Sequence, residues 1–369
     1  MPLCSRRERS GVRTAGPAAA LVAILALACG HQDPFPAGGV ADVGPWSPNP
    51  PVQLTFSRGS DMEPAWLEDG SGIAYSFQQE ETTQDRCLGA LPAAGGTRWV
   101  AKCVRVVADT DSVEALREVA AGPGARFAWR DARSKIGRLG PDVGSIRLGT
   151  LGRTDTGTAI RSIPYLAPSG NLHLAVTHLR WLTPTMLTYV GATAFYGLEC
   201  GRCQDTTLTG LEVTLLDLAA SPAAVSIVPN TYPASSVWPA ADGASLYYTL
   251  GGDSRVYRQS LASGAVTVVH DFGALGIARD VSVRGERMVA VVGGAVIFTD
   301  DPELGPVQRD KGGPLMLVDL ADGQVTGIPL PVVNVRRPAL SPDGRRVVVE
   351  AMDPARFRPV PDLWLLELP

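Results

Sequence analysis

A chain of 369 residues with 45% hydrophobic and 19% charged side chains has room for one large or two ordinary domains and is too apolar to stay disordered. Its formal net charge of −4, with no basic stripe, speaks against nucleic acid as a partner. After residue 28 no apolar run approaches the ~20 residues that span a bilayer, and the 40 glycines and 30 prolines are scattered as many short strands and turns require.

The first 28 residues read as an export signal. A basic stretch, "SRRER" (5–9), precedes the short apolar run "AAALVAILALA" (18–28) and then Cys29. Two readings of the cleavage site stand side by side. "LALAC" resembles a bacterial lipobox, which would lipidate Cys29, although Ala26 and Leu27 are interchanged relative to the usual order. "ALA" before Cys29 equally satisfies ordinary signal peptidase. The lipoprotein reading is preferred, because residues 29–51 form a Pro/Gly-rich tether behind a cysteine in the first mature position. In a Gram-negative cell, Gly30 lacks the aspartate that retains lipoproteins in the inner membrane. The expected location is therefore the cell envelope: outer membrane, periplasm or cell surface, with a lipid anchor as the only membrane attachment.

From residue 52 onward one pattern recurs. A turn followed by a β-branched or aromatic run appears as "WLEDGSGIAYSF" (66–77), "WLTPTMLTYVG" (181–191), "PAADGASLYYTL" (239–250), "SVRGERMVAVVG" (282–293) and "LSPDGRRVVVEA" (340–351). Asp-Gly at 69–70, 242–243 and 343–344 is turn chemistry, and the runs that follow have the composition of buried strands. A second hairpin follows each first one, ending its first strand on Leu91, Leu151, Leu218, Leu261, Leu320 and Leu368, at a mean spacing of about 55 residues. The second unit is degenerate; "ARFAWRDAR" (125–133) stands where its first hairpin is expected. Two hairpins per unit make a four-stranded sheet, and six such sheets predict an all-β, six-bladed β-propeller. The last unit, "DLWLLELP" (362–369), lacks a fourth strand, and "VQLTF" (52–56) is predicted to supply it and close the ring.

"QLTFSRGSDMEPAWLEDGSGIAY" (53–75) and "RRPALSPDGRRVVVEA" (336–351) resemble the repeat of TolB-type propellers. The matching positions are Asp61, Pro64, Trp66, Asp69 and Gly70 in the first unit, and Pro338, Leu340, Ser341, Pro342, Asp343 and Gly344 in the last. The resemblance implies six blades and often a periplasmic or cell-surface setting. It implies no single activity, and since the N-terminal α/β domain of TolB has no counterpart here, its docking role does not transfer whole.

Cys87 and Cys103 are symmetric about the turn at Gly95, so a regular hairpin sets them across from each other as a disulfide. Cys200 and Cys203, in "CGRC", read as a small loop disulfide rather than a metal or redox pair, since no partner motif is legible. There is no G-x-S-x-G, H-E-x-x-H, P-loop or G-x-G-x-x-G, so no catalytic residue, metal site or cofactor is assigned. His173 and His178, five apart on a strand, face opposite ways, and "DTDSVE" (109–114) reads as a solvated acidic loop. Counting three positions before the aligned Trp or Leu of each unit places Glu63, Arg126, His178, Ser236 and Arg337 around the channel mouth, with Ala278 in unit five. Such a mixed ring suits an anionic ligand or a partner's tail; the alternative is a set of hydrated loop tips. The functional expectation is a non-catalytic envelope scaffold, monomeric, that binds a protein or peptide. The alternatives are a lactonase-like hydrolase or a small-ligand binder using the channel.

Overall fold

In each repeat a polar turn throws a β-branched strand back on its predecessor, and a computed structural model shows what these hairpins build. It describes residues 50–79, 86–104, 112–135, 143–150, 159–164, 175–200, 203–294, 296–301, 305–310, 312–355 and 360–369. The expected signal, Cys29 and nearly all of the expected tether lie outside them. Six four-stranded antiparallel sheets follow one another, and their first strands pack side by side all the way round, blade six against blade one. The first strands are Asp61–Trp66, Ser112–Ala121, Ala175–Thr183, Ala234–Pro239, Ala278–Arg284 and Val333–Leu340. This is a six-bladed β-propeller.

Burial explains the composition of each strand. Second strands such as Gly72–Phe77 are buried at every position, because both faces of the sheet are covered by neighbouring blades. Outer strands such as Ala224–Ile227 and Val266–Asp271 are largely exposed. Apolar clusters fill the spaces between successive sheets. One joins blades one and two around Leu116, Phe127 and Trp129, and another joins two and three around Ile146, Leu179 and Tyr189. The Asp-Gly turns form as expected: Gly70, Gly243 and Gly344 take φ of 70°, 62° and 69°. Asp69, Asp242 and Asp343 accept from the N–H groups of Ser71, Ala244 and Arg345.

The predicted closure is present. Val52–Gln53 pairs antiparallel with Asp362–Glu367, Val52 opposite Leu365 and Gln53 opposite Trp364. Beyond these two residues the seam is held by Leu54 N–H to Leu363 O at 2.8 Å and Leu363 N–H to Thr55 Oγ1 at 2.9 Å. The Gln53 amide also donates to Asp362.

Two features differ from the sequence reading. In blade two the innermost strand is Ser112–Ala121, and Arg126–Lys135 is the second strand. Trp129 therefore occupies the place of Tyr75, in the middle of a second strand, and the turn is Gly-Pro-Gly-Ala rather than Asp-Gly. Part of the acidic stretch 109–114 thus belongs to a strand. In blade five a two-stranded hairpin, Val296–Asp301 with Gly305–Asp310, is inserted between the second and third strands.

Candidate functional site

A strand that lines a propeller channel must bend, and every first strand here does so at a bulge, where it carries one residue more than the second strand opposite. In blades one, two, three and six the bulge is built on a left-handed residue that is not glycine: Glu63, Glu118, His178 and Arg337, with φ of 59°, 54°, 55° and 50°. Such a conformation costs on the order of 1–2 kcal/mol per residue. In each case a carboxylate of the preceding blade accepts the bulge N–H. Glu350 takes Glu63 N–H at 3.2 Å, Glu63 takes Glu118 N–H at 2.7 Å, Glu118 takes His178 N–H at 2.7 Å, and Asp280 takes Arg337 N–H at 3.1 Å. The relay passes from blade to blade and is interrupted only around blade four. There Ser236 Oγ lies 2.8 Å from Thr249 Oγ1, whose hydroxyl donates to Arg279 O of blade five.

Two direct contacts bridge across the channel, each passing over one blade. Arg337 donates to both carboxylate oxygens of Glu118, at 2.9 and 3.2 Å, over blade one. His178 Nε2 meets Asp280 Oδ1 at 2.7 Å over blade four, where the relay is interrupted. Arg117 pairs with Glu63 at 3.4 Å and Arg336 with Glu350 at 2.5 Å.

The charges shape one another. Burial would raise Glu63, but the guanidinium charges of Arg117 and Arg337, the Ser76 hydroxyl and the Glu118 N–H hold it at about 2. Burial likewise opposes ionisation of Asp280, and the contact with His178 and the charge and N–H of Arg337 bring it well below the usual carboxylate range. Glu350 is pushed up, chiefly by burial, against the pull of Arg336 and Arg337. Burial, with Arg337 beside it, pushes His178 down, against Asp280 and Glu118. A neutral imidazole with its proton on Nε2 fits both contacts, donating to Asp280 and accepting at Nδ1 from Thr177 Oγ1, 3.3 Å away. The carboxylates Glu63, Glu118, Asp280 and Glu350 are thus set among Arg117, Arg180, Arg336 and Arg337, and together they plug the middle of the channel.

Above the plug, where first strands turn into second strands, lies the channel mouth. A pocket of about 200 Å³ there is lined from all six blades, by Trp66, Trp181, Trp238, Arg180, Arg284 and Leu340 among others. Each indole N–H is anchored on a neighbouring blade: Trp66 to Ala339 O, Trp181 to Ala120 O and Trp238 to Val283 O, at 2.8–3.1 Å. The Arg180 and Arg284 guanidinium carbons stand 5.1 and 5.6 Å from the Trp238 ring centre. Gly122 is required here by space: a Cβ on it would come within 2.5 Å of the Trp181 indole nitrogen.

Of the residues expected at the mouth, Glu63, His178 and Arg337 come together, but deeper, in the plug. Ser236 is fully buried and reaches only Thr249. Arg126 is not in the ring; it begins the second strand of blade two, donates to Pro184 O at 2.9 Å and stacks on Trp181. Glu118 holds the place assigned to it, and Asp280 the place assigned to Ala278, which is apolar and buried. Cys87 and Cys103 are opposite each other and form a disulfide, with Cα atoms 4.1 Å apart. Cys200 and Cys203 face each other at the tip of the long hairpin of blade three, and their side chains lie outside the described residues. Among the described residues no three His, Cys, Asp or Glu are grouped as metal ligands.

No sequence-family pattern matches the chain, and no curated protein is similar to it in sequence. The likeness is to solved structures. A gluconolactonase from Xanthomonas campestris superposes with a TM-score of 0.54 at 14% identity, covering 86% of this chain and 89% of that one. A putative TolB from Agrobacterium tumefaciens gives 0.51 at 14% identity, over 87% and 98%. TolB from Acinetobacter baumannii gives 0.50 at 14% identity over 78% of this chain, which spans 58% of that longer protein. The fold is that of TolB-type six-bladed propellers, a fold that carries more than one function.

Proposed function

We propose that the chain is an exported, lipid-anchored envelope protein whose propeller is a non-catalytic scaffold, monomeric, that binds a protein or peptide through its outer face and channel mouth. The carrying observation is the plug. Among the described residues its carboxylates are engaged within the plug, accepting bulge N–H groups and facing guanidiniums or His178. Export and anchoring rest on the charged, apolar and small-residue order of residues 5–28 and on Cys29. Among the described residues no helix is long and apolar enough to cross a membrane, which is compatible with attachment by lipid alone. Changing Cys29→Ser should move the protein from the membrane to the soluble fraction without altering its melting temperature. Cross-linking in intact envelopes should then recover one partner in stoichiometric yield, and recovery of none would remove the scaffold reading.

A further inference from the structure

At the channel mouth one cation stands without a nearby carboxylate: Arg180 feels the charges of Glu118, Asp280 and Glu63 in the plug, whereas Arg284 is affected by burial alone. The pocket there presents two guanidiniums, Arg180 and Arg284, and no carboxylate. Among the described residues neither forms an ion pair, and the buried Nε of Arg284 has no hydrogen-bond partner. Among the described residues Arg180 donates to its neighbour, Leu179 O, at 2.8 Å and to no other group. Buried polar atoms are almost always partnered, so an orphaned guanidinium nitrogen beside a cavity points to something that occupies the cavity. The walls say what kind of thing. Trp66, Trp181 and Trp238 are held by their indole N–H bonds and form rigid walls of the cavity, with the Trp238 ring against both cations.

We propose that this mouth binds a carboxylate carried on a flat apolar body, the carboxylate between Arg180 and Arg284 and the body against the tryptophans. Guanidinium and carboxylate match in shape and charge. The volume of about 200 Å³ equals roughly seven waters at ~30 Å³ each, the size of one aromatic acid or of the last residue of a chain. Burial pushes both arginines down, Arg180 to about 10 against the pull of Glu118, Asp280 and Glu63, and an arriving anion would supply Arg284 with the opposite charge that its surroundings lack. This inference rests on the reading of the mouth as a binding face and names the chemistry it accepts.

Tryptophan fluorescence of the full chain, titrated with benzoate and with its neutral counterpart benzamide, tests it. Benzoate should saturate at about tenfold lower concentration or better, as expected for a charge-assisted bond worth about 1.4 kcal/mol or more. Arg284→Met should remove that preference while Arg258→Ala, an exposed arginine elsewhere, leaves it unchanged. A Gly-Gly-Phe peptide as free acid and as amide separates the sources. Preference for the free-acid peptide over benzoate assigns the site to a chain terminus, and the reverse to a free small acid. Equal binding of benzoate and benzamide, or binding of neither, overturns the proposal, even if Arg284→Met fails to fold. A cross-linked partner recovered in that case would leave the scaffold reading standing.

Discussion

The bulge residues carry unequal weight, and Arg337 carries the most. It answers Glu118 directly and lowers Glu63 and Asp280 through space, so its loss leaves buried carboxylates uncompensated. Arg337→Met should cost about 3–5 kcal/mol, read as a fall in the urea midpoint with an unchanged m-value. The exposed pair Arg255–Asp253, at 2.9 Å, is as short, yet Arg255→Ala should cost under about 1 kcal/mol, because water screens it. The plug also sets a pH dependence. Glu63, Asp280 and His178 all have folded pKa values below their free ones, so the unfolded chain binds more protons and stability falls on acidification. His178 acts first, below its free value of 6.5, then Glu63 and Asp280 below 4.5 and 3.8. Glu350, raised by burial, has the opposite sign and softens the acid loss. Melting temperature should therefore decline as pH drops from 7 to 5. His178→Gln, which keeps a donor toward Asp280, should decline less; His270, also lowered by burial, keeps its own share.

At the scale of the strand, two staples hold the propeller beyond its packing. The closing strand is only two residues long by backbone pairing, so Thr55 and Gln53, reaching Leu363 and Asp362, hold a large part of the seam. Removing residues 50–56 should lower the melting temperature of the whole propeller, because blade six would lose its outer strand; Thr55→Ala should cost about 1–2 kcal/mol through the orphaned Leu363 N–H. The disulfide of blade one closes a loop with a sequence separation of 16. The double change of Cys87 and Cys103 to serine should cost about 3 kcal/mol, with wild type under reductant showing the same melting temperature. Legibility follows chemistry at this scale. Asp-Gly turns and the closing strand could be read because their residues announce a backbone geometry or a missing partner. Blade two could not, since Gly-Pro-Gly-Ala replaces Asp-Gly and Trp129 mimics the tryptophan of a different strand. The plug was half legible: position relative to Trp66, Trp181 and Leu340 found Glu63, His178 and Arg337. Glu118 was hidden by the misread blade, and Asp280 by a bulge displaced along its strand. Nothing in a sequence marks a left-handed φ at a glutamate.

Across the whole molecule, six similar blades pose a problem that a single-domain core does not: neighbouring sheets could close into rings of other sizes. The residues at the channel are not repeats of one another. Glutamate, glutamate, histidine, serine, aspartate and arginine stand in successive blades, and the two cross-channel contacts each span two blade steps. Excising blade four, residues 230–272, would make blades three and five immediate neighbours and change the span that His178 and Asp280 must bridge. Such a shortened chain should show no cooperative unfolding transition by near-ultraviolet circular dichroism, despite five blades of intact sequence. The plug can then be described as an addressing system. The outer strands repeat a common text, whereas the channel residues number the blades, and only a ring with every number present in order leaves no charge stranded.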